Sequence, residues 1–348
     1  MKMCLKRNKF ITVVTLISVL LLLITTLFMS CSKKTIETDK VSFRLPWIRF
    51  STTAGLEVAQ DKGFFQQSGI QAVINAGSVD LNPTKMVVSG SDQFGILEPA
   101  QVIVAAVNQK LPVVILALKC QESPFALMSL KEKNITHPHD LVGKVVGYNP
   151  LNDVSYLSIL KKFNIDHSSL KEVPVQFDLT RFFEKKVDVW PSYVVNEPLV
   201  AKSKGFEINL IRPDDYGIHL YEHCLFTTKD MIEKNPGLVK RAVKSWLQGW
   251  HYALQHPEEA VDITLKHAEG LTRDNQIEVL KAFIPLMASG KAKTRGFGWV
   301  DLEMIETLQD QIYSLGIIKE KINAQQLVDN SFLKNIDMSI RSIPQEIQ

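Results

Sequence analysis

Gly55-Leu56-Glu57-Val58-Ala59-Gln60-Asp61-Lys62-Gly63-Phe64-Phe65-Gln66-Gln67-Ser68-Gly69-Ile70 reads as a helix that stops at a glycine, with two aromatic side chains covering the turn into a strand. Thr52 or Thr53 is placed to cap that helix, and it spans about Ala54 to Lys62. Upstream, Val41 to Trp47 reads as the first strand; downstream, Gln71 to Ala76 is the second. The alternation then continues. Asn82-Pro83 opens a helix by asparagine capping with proline at the first helical position, and Gly90 closes it. Gln93 to Leu97 is a strand, Pro99 to Asn108 a helix, and Pro112 to Leu118 a strand.

The pattern restarts further along. Lys144 to Tyr148, Glu172 to Gln176, Val187 to Trp190 and Ile208 to Arg212 read as strands, with helices at Asp153 to Phe163 and Leu179 to Lys186 between them. What remains is helical. Asn235-Pro236 opens a helix in which Leu238, Val239, Ala242, Val243, Trp246, Leu247 and Trp250 recur at helical spacing, His256-Pro257 opens another, and two more cover Arg273 to Met287 and Asp301 to Leu315. Two α/β blocks followed by helices predict a two-lobed α/β fold, with lobe 1 made of residues 41–128 and 224–348 and lobe 2 of residues 129–223. The crossings fall near Phe125 to Ser129 and Cys224 to Thr228, and lobes joined in this way close on a ligand by hinge motion.

The N-terminus sets the compartment. Lys2, Lys6, Arg7 and Lys9 precede an apolar run from Phe10 to Met29 that ends at Ser30-Cys31-Ser32. A basic start, an apolar core and a small residue before a cysteine describe a bacterial lipoprotein signal, residues 1–30, with lipidation at Cys31 and a polar tether over 31–40. The alternative is an uncleaved anchor, since the run is about 20 residues, long enough to span a bilayer. Either reading puts the remainder in the cell envelope, facing the periplasm or the exterior.

Without residues 1–30 the chain has 318 residues, with 36 basic and 37 acidic side chains. The basic excess therefore belongs to the targeting segment, and no basic patch argues for nucleic acid. Cys120 and Cys224 are left in apolar, strand-like surroundings, expected as two buried free thiols rather than a pair. No cysteine or histidine spacing suits a metal; His137-Pro138-His139 sits in a polar loop.

Four stretches carry a resemblance. Residues 55–70 follow the pattern G-x-x-V-A-x-x-K-G-[FY]-[FY]-x-x-x-G-[IL]; Val88-Ser89-Gly90-Ser91-Asp92-Gln93-Phe94-Gly95-Ile96 is similar to G-x-x-D-F-G-I, with Gln93 at the acid position; Trp190 to Pro198 contains Asn196-Glu197-Pro198; and Asn235-Pro236-Gly237 leads to Gly249-Trp250-His251-Tyr252-Ala253 and Pro257-Glu258-Glu259-Ala260. In this order they resemble the substrate-binding family that includes bacterial sulfonate-, thiamine-pyrimidine- and riboflavin-binding lipoproteins and fungal thiamine-pyrimidine synthase. The resemblance implies a type 2 periplasmic binding protein with a hinge and a helical C-terminal part. Trp47, Gly77 to Pro83 and the Asn-Glu-Pro run look closest to the branch that binds flat heteroaromatic vitamins or their precursors.

Ligands of open α/β sheets sit beyond the carboxyl ends of the strands, which selects the candidate ligand-binding residues. Trp47 and Phe50 are placed to sandwich a planar ring, with Arg49 beside them as a rim charge. Glu98 follows the third strand; it either favours the helix N-terminus opened by Pro99 or accepts from a ring amine. Gln121 occupies the same position after the fourth strand, and Tyr148 and Asn149 follow the first strand of the second block, where capping accounts for Asn152. Trp190, Tyr193, Asn196 and Glu197 form the densest polar-aromatic cluster, and Tyr216 lies in a loop able to close the cleft, with His219.

The resemblance also implies an enzyme branch, in which a Lys and a His one helical turn apart follow the D-F-G strand and act on pyridoxal phosphate with iron. Here that stretch is Ile96-Leu97-Glu98-Pro99-Ala100-Gln101, with neither. The cysteine-rich run of the fungal enzymes corresponds to Gly217-Ile218-His219-Leu220-Tyr221, with no cysteine. A non-catalytic binder without cofactor or metal is therefore expected. Its ligand is first a thiamine-type pyrimidine, then riboflavin, then a sulfonate such as taurine. Its partners are an ABC permease and ATPase, and the protein itself is expected to be a monomer held to the membrane by its lipid anchor.

Overall fold

Among the residues described by the computed structural model (38–344, except Val79 and Phe177), ten strands form two five-stranded sheets. The first has the order β2-β1-β3-β10-β4, from β1 (Asp39–Arg44), β2 (Ile70–Asn75), β3 (Phe94–Leu97), β4 (Val113–Cys120) and β10 (Glu222–Thr228). The second has the order β7-β6-β8-β5-β9, from β5 (Phe125–Leu130), β6 (Val145–Tyr148), β7 (Lys171–Pro174), β8 (Val189–Tyr193) and β9 (Ile208–Ile211). The signal segment, Cys31 and most of the tether lie outside the described residues.

Each sheet is parallel where the chain winds locally and antiparallel where it crosses over. In the first, β1 runs parallel to β2 and β3, while β10, returning from the second sheet, is antiparallel to β3 and β4. In the second, β6 runs parallel to β7 and β8, while β5, just arrived from β4, is antiparallel to β8 and β9. The two strands nearest the crossings, β4 and β5, are buried throughout, which is why they read as unbroken apolar runs rather than alternating ones.

The helices that matter to the site are α1 (Ala54–Asp61), α2 (Pro83–Val88), α3 (Pro99–Asn108), α4 (Asp153–Lys162), α5 (Glu197–Ser203), α6 (Pro236–Gln255), α7 (Pro257–Leu265) and α8 (Arg273–Met287). Asn82 caps α2 as its spacing predicts, its side chain accepting from Lys85 N at 3.2 Å. Helices α1 and α6 cross at two glycines: a Cβ on Gly249 would stand 1.9 Å from Gly55 O, and one on Gly55 would stand 2.4 Å from Trp250 Nε1. Any side chain there would push the backbones apart. Gly55 belongs to the first of the four sequence stretches and Gly249 to the last, so this crossing joins them.

Three local expectations change. The first strand ends at Arg44, short of Trp47, because Pro46 cannot donate to the ladder; Arg44 instead bonds Asp92 Oδ2 through Nε at 2.8 Å. The helix expected over 179–186 is a single turn, Thr180–Phe183. Strand β8 runs on to Tyr193 through Pro191, which is tolerated because β6 pairs with β8 only at Val146↔Val189. Cys120 and Cys224 are buried and free.

Candidate functional site

A cavity of about 890 Å³, counting its open mouth, is lined by residues that follow the strand ends of both sheets. The bend after β1 supplies Trp47, Ile48 and Phe50; the end of β3 supplies Leu97 and Glu98; the residues after β6 supply Asn149 and Asn152. Val175 and Gln176 follow β7, Trp190 to Tyr193 come from β8, Asn196 and Glu197 open α5, and His223 stands at the start of β10. Carboxyl ends of parallel strands gather at one edge of each sheet, and that is where α/β folds hold their ligands.

The cavity wall thus brings together Trp47, Phe50, Glu98, Asn149, Trp190, Tyr193, Asn196 and Glu197. Gln121, Tyr148 and Tyr216 are placed elsewhere. Gln121 lies in a separate shallow depression with Glu122 and Tyr221, its Nε2 donating to Trp299 O at 3.3 Å. Tyr148 donates to Asp153 Oδ1 at 2.9 Å, and alternation along the chain leaves its neighbour Asn149 at the cavity. Tyr216 packs edge-on against Phe163, ring centroids 5.0 Å apart, and against His137 at 5.6 Å.

Trp47 is half-buried and Phe50 buried, so an apolar wall is in place. Arg49 is turned away from a ligand role: its Nε lies 3.5 Å from Glu57 Oε1. Trp190 borders the cavity, but its ring packs in the second sheet's apolar cluster with Phe182, centroids 6.3 Å apart.

The polar residues are engaged in ways that capping does not explain. Glu98 makes no side-chain capping bond to α3. Its carboxyl instead meets Asn152 Nδ2 at 3.3 Å and Ser155 Oγ at 3.4 Å, so an element after β3 touches α4. Asn152 likewise does not cap α4, contrary to the sequence expectation. Burial lifts Glu98 well above the usual carboxyl range, and the charge of Glu222 adds to that. Glu197 accepts from Tyr193 N at 2.7 Å and from Asn196 Nδ2 at 3.2 Å, and burial pushes it up to about 7.

Behind this wall lies a buried polar chain that sequence reasoning did not reach. Lys119 Nζ donates to Thr52 O at 2.8 Å and faces His223 Nδ1 at 2.5 Å. His223 Nε2 lies 2.8 Å from Glu222 Oε1, which also accepts the Tyr193 hydroxyl at 2.8 Å. An ammonium against Nδ1 makes that nitrogen the acceptor, so the proton sits on Nε2 and points at Glu222. Burial, then Lys119, lowers His223, and burial brings Lys119 down to about 8. Burial alone would raise Glu222, but His223 and Lys119 outweigh it and hold it low.

His223 adopts φ +47 inside a strand, a left-handed conformation rare for a residue with a Cβ, close to the register shift at Leu225/Phe226. Such backbone is retained where surrounding contacts fix it, often at binding sites. One signal was available in the sequence: Lys119 interrupts an otherwise apolar buried strand, and a buried lysine needs a partner.

Among the described residues no group of His, Cys, Asp and Glu is arranged to hold a metal, and no helix is long and apolar enough to cross a membrane.

Residues 51–260 match the family model described as NMT1/THI5 like. The formylaminopyrimidine-binding protein of Halalkalibacterium halodurans is 26% identical over 258 residues, 71% of this chain and 78% of that protein. The riboflavin-binding protein RibY of Chloroflexus aurantiacus is 24% identical over 304 residues, 85% of this chain and 86% of that protein. The solved ligand-binding component of an ABC-type import system from Staphylococcus aureus superposes with a TM-score of 0.62 at 13% identity, covering 86% of this chain and all of that one. The chain belongs to the NMT1/THI5-like family and has the two-lobed periplasmic-binding-protein fold, with a helical C-terminal part.

Proposed function

We propose that this member of the NMT1/THI5-like family is the extracytoplasmic solute-binding component of an ABC importer and takes a thiamine-type pyrimidine into the cavity. The lobes, drawn at 41–128 with 224–348 and at 129–223, close on that ligand and present it to a permease and its ATPase. The chain acts as a monomer anchored through Cys31.

The observation that carries the reading is the character of the wall. Trp47 and Phe50 offer aromatic faces, Glu98, Glu197, Asn149 and Asn196 offer carboxyl and amide groups, and none of the lining residues is Lys or Arg. A flat ring edged with amines and ring nitrogens suits such a wall. A sulfonate is held best by a cationic side chain such as Arg or Lys, and neither lines this wall. The formylaminopyrimidine-binding relative favours the pyrimidine, and the longer match to the riboflavin-binding one keeps a second, larger heteroaromatic in view. The absence of Lys and His from Ile96 to Gln101 supports a binder over a synthase.

Uptake of labelled hydroxymethylpyrimidine by cells with and without this gene tests the importer role. Loss of uptake on deletion, restored by the gene, is the expected result. Unchanged uptake, with the protein expressed, counts against it.

A further inference from the structure

Two carboxyl groups, Glu98 and Glu222, are buried beside the cavity in opposite surroundings. Glu222 has a cation within its hydrogen-bond chain: His223 Nε2 donates to it at 2.8 Å with the Lys119 ammonium behind, besides the Tyr193 hydroxyl at 2.8 Å and Ser123 Oγ at 3.4 Å. The groups facing Glu98 are neutral or acidic: Gln101 on its own helix α3, Asn152 and Ser155 at α4, Tyr193 on β8, and Glu222 and the Cys224 thiol on β10.

The distances fit that difference. Hydrogen bonds to an ionised carboxylate contract; Glu222 has two partners at 2.8 Å, whereas Asn152 and Ser155 stand 3.3 and 3.4 Å from Glu98. A buried carboxylate without a cation beside it sheds its charge rather than bear the desolvation cost. Two neighbouring acids with one set of cationic partners then divide the roles, one ionised and one neutral.

We propose that Glu98 presents an un-ionised carboxylic acid to the cavity, and that this acid reads one edge of an uncharged ring, donating to a ring nitrogen while its carbonyl accepts from the amine beside it. A carboxylic acid has one O–H donor and one carbonyl acceptor side by side, the complement of an aminopyrimidine or lactam edge. Glu98 is in this sense a specificity-determining residue for the ligand class, and Glu222 with its Lys119–His223 chain keeps it neutral by holding the site's negative charge elsewhere. The ring-edge half of the proposal rests on the heteroaromatic reading above; the protonation of Glu98 does not.

Infrared spectroscopy of the full chain, without ligand, at pH 8.5, where Glu57 and Glu197, each raised only to about 7, are ionised, reads the acid directly. The expected result is the carbonyl stretch of a protonated carboxyl, shifted in heavy water and lost in Glu98→Gln. A wild type without that band, or a band that Glu98→Gln leaves in place, overturns the proposal. Should Glu98→Gln not fold, the wild-type band must vanish on denaturation at the same pH, where every free carboxyl is ionised.

Calorimetry with 4-amino-5-hydroxymethyl-2-methylpyrimidine in buffers of different ionisation heat tests the edge. An acid already protonated takes up no proton on binding beyond what Glu98→Gln takes up, whereas an uptake larger by about one proton overturns it. No heat from the probe overturns the ring-edge half together with the pyrimidine reading, while the band alone decides the state of Glu98.

Discussion

The Tyr193 hydroxyl donates to Glu222 Oε1 at 2.8 Å, so a strand of the second sheet and a strand of the first meet through one buried hydrogen bond. The contacts of Glu98 with Asn152 and Ser155 make a second link of the same kind. Both links place the carboxyl on an element of the first sheet and the donor on an element of the second. Removing a donor leaves a buried acid short of a partner, which costs more than the bond itself contributes.

Tyr193→Phe is therefore expected to destabilise the protein by about 1–3 kcal/mol. Urea unfolding measures it as a lower midpoint at unchanged slope. An unchanged midpoint would show that Glu222 is satisfied without the phenol.

Glu57 gives the protein a pH dependence of opposite sense to a surface ion pair. Burial raises it from 4.5 to about 7, despite Arg49 Nε at 3.5 Å. Between those values the folded chain keeps a proton that the unfolded chain has released. The contribution is complete below pH 4.5 and is lost as pH rises through about 7. Glu57→Gln should gain on the wild type as pH rises, by as much as about 3 kcal/mol at pH 8. Melting curves of both proteins at pH 5 and pH 8 check this; a Glu57→Gln melting temperature that falls relative to the wild type between pH 5 and pH 8 refutes the sign.

Gly249→Ala is expected to be among the most damaging single-methyl changes. Its Cβ would meet Gly55 O at 1.9 Å, backbone against backbone, leaving α1 and α6 no rotamer to adjust. The cost should be about 1–3 kcal/mol or more, seen as a lower melting temperature. Gly237→Ala, where a Cβ meets nothing within 4 Å, is the control and should melt like the wild type.

Trp47→Ala separates binding from folding. Trp47 is only half-buried, so stability should change little, while ligand affinity falls about tenfold or more through lost stacking and burial. Calorimetric titration measures the affinity, and undiminished binding would remove Trp47 from the site.

The parts of this protein written in local chemistry were legible in its sequence. Glycine stops, Asn-Pro helix starts and unbroken apolar strands placed most elements within a few residues, and the rule that ligands sit beyond strand ends brought Trp47, Glu98, Asn149 and Asn196 to one cavity. Missed features depend on partners distant in sequence. Lys119 and His223 are 104 residues apart, and nothing near His223 announces either its left-handed backbone or its place between an ammonium and a carboxylate. Tyr148 and Tyr216 stand outside the cavity lining for a related reason: their rings meet aromatic and acidic neighbours that strand-end position alone does not reveal. Asn152 looked like a cap because its position is a cap, yet its amide is taken by Glu98 across the sheets.

Thermal-shift measurement of the purified chain against hydroxymethylpyrimidine, formylaminopyrimidine, riboflavin and taurine tests the central claim most directly. The account predicts a rise in melting temperature with a pyrimidine that grows with its concentration, as ligand linkage requires, and none with taurine. A rise with taurine alone would contradict it.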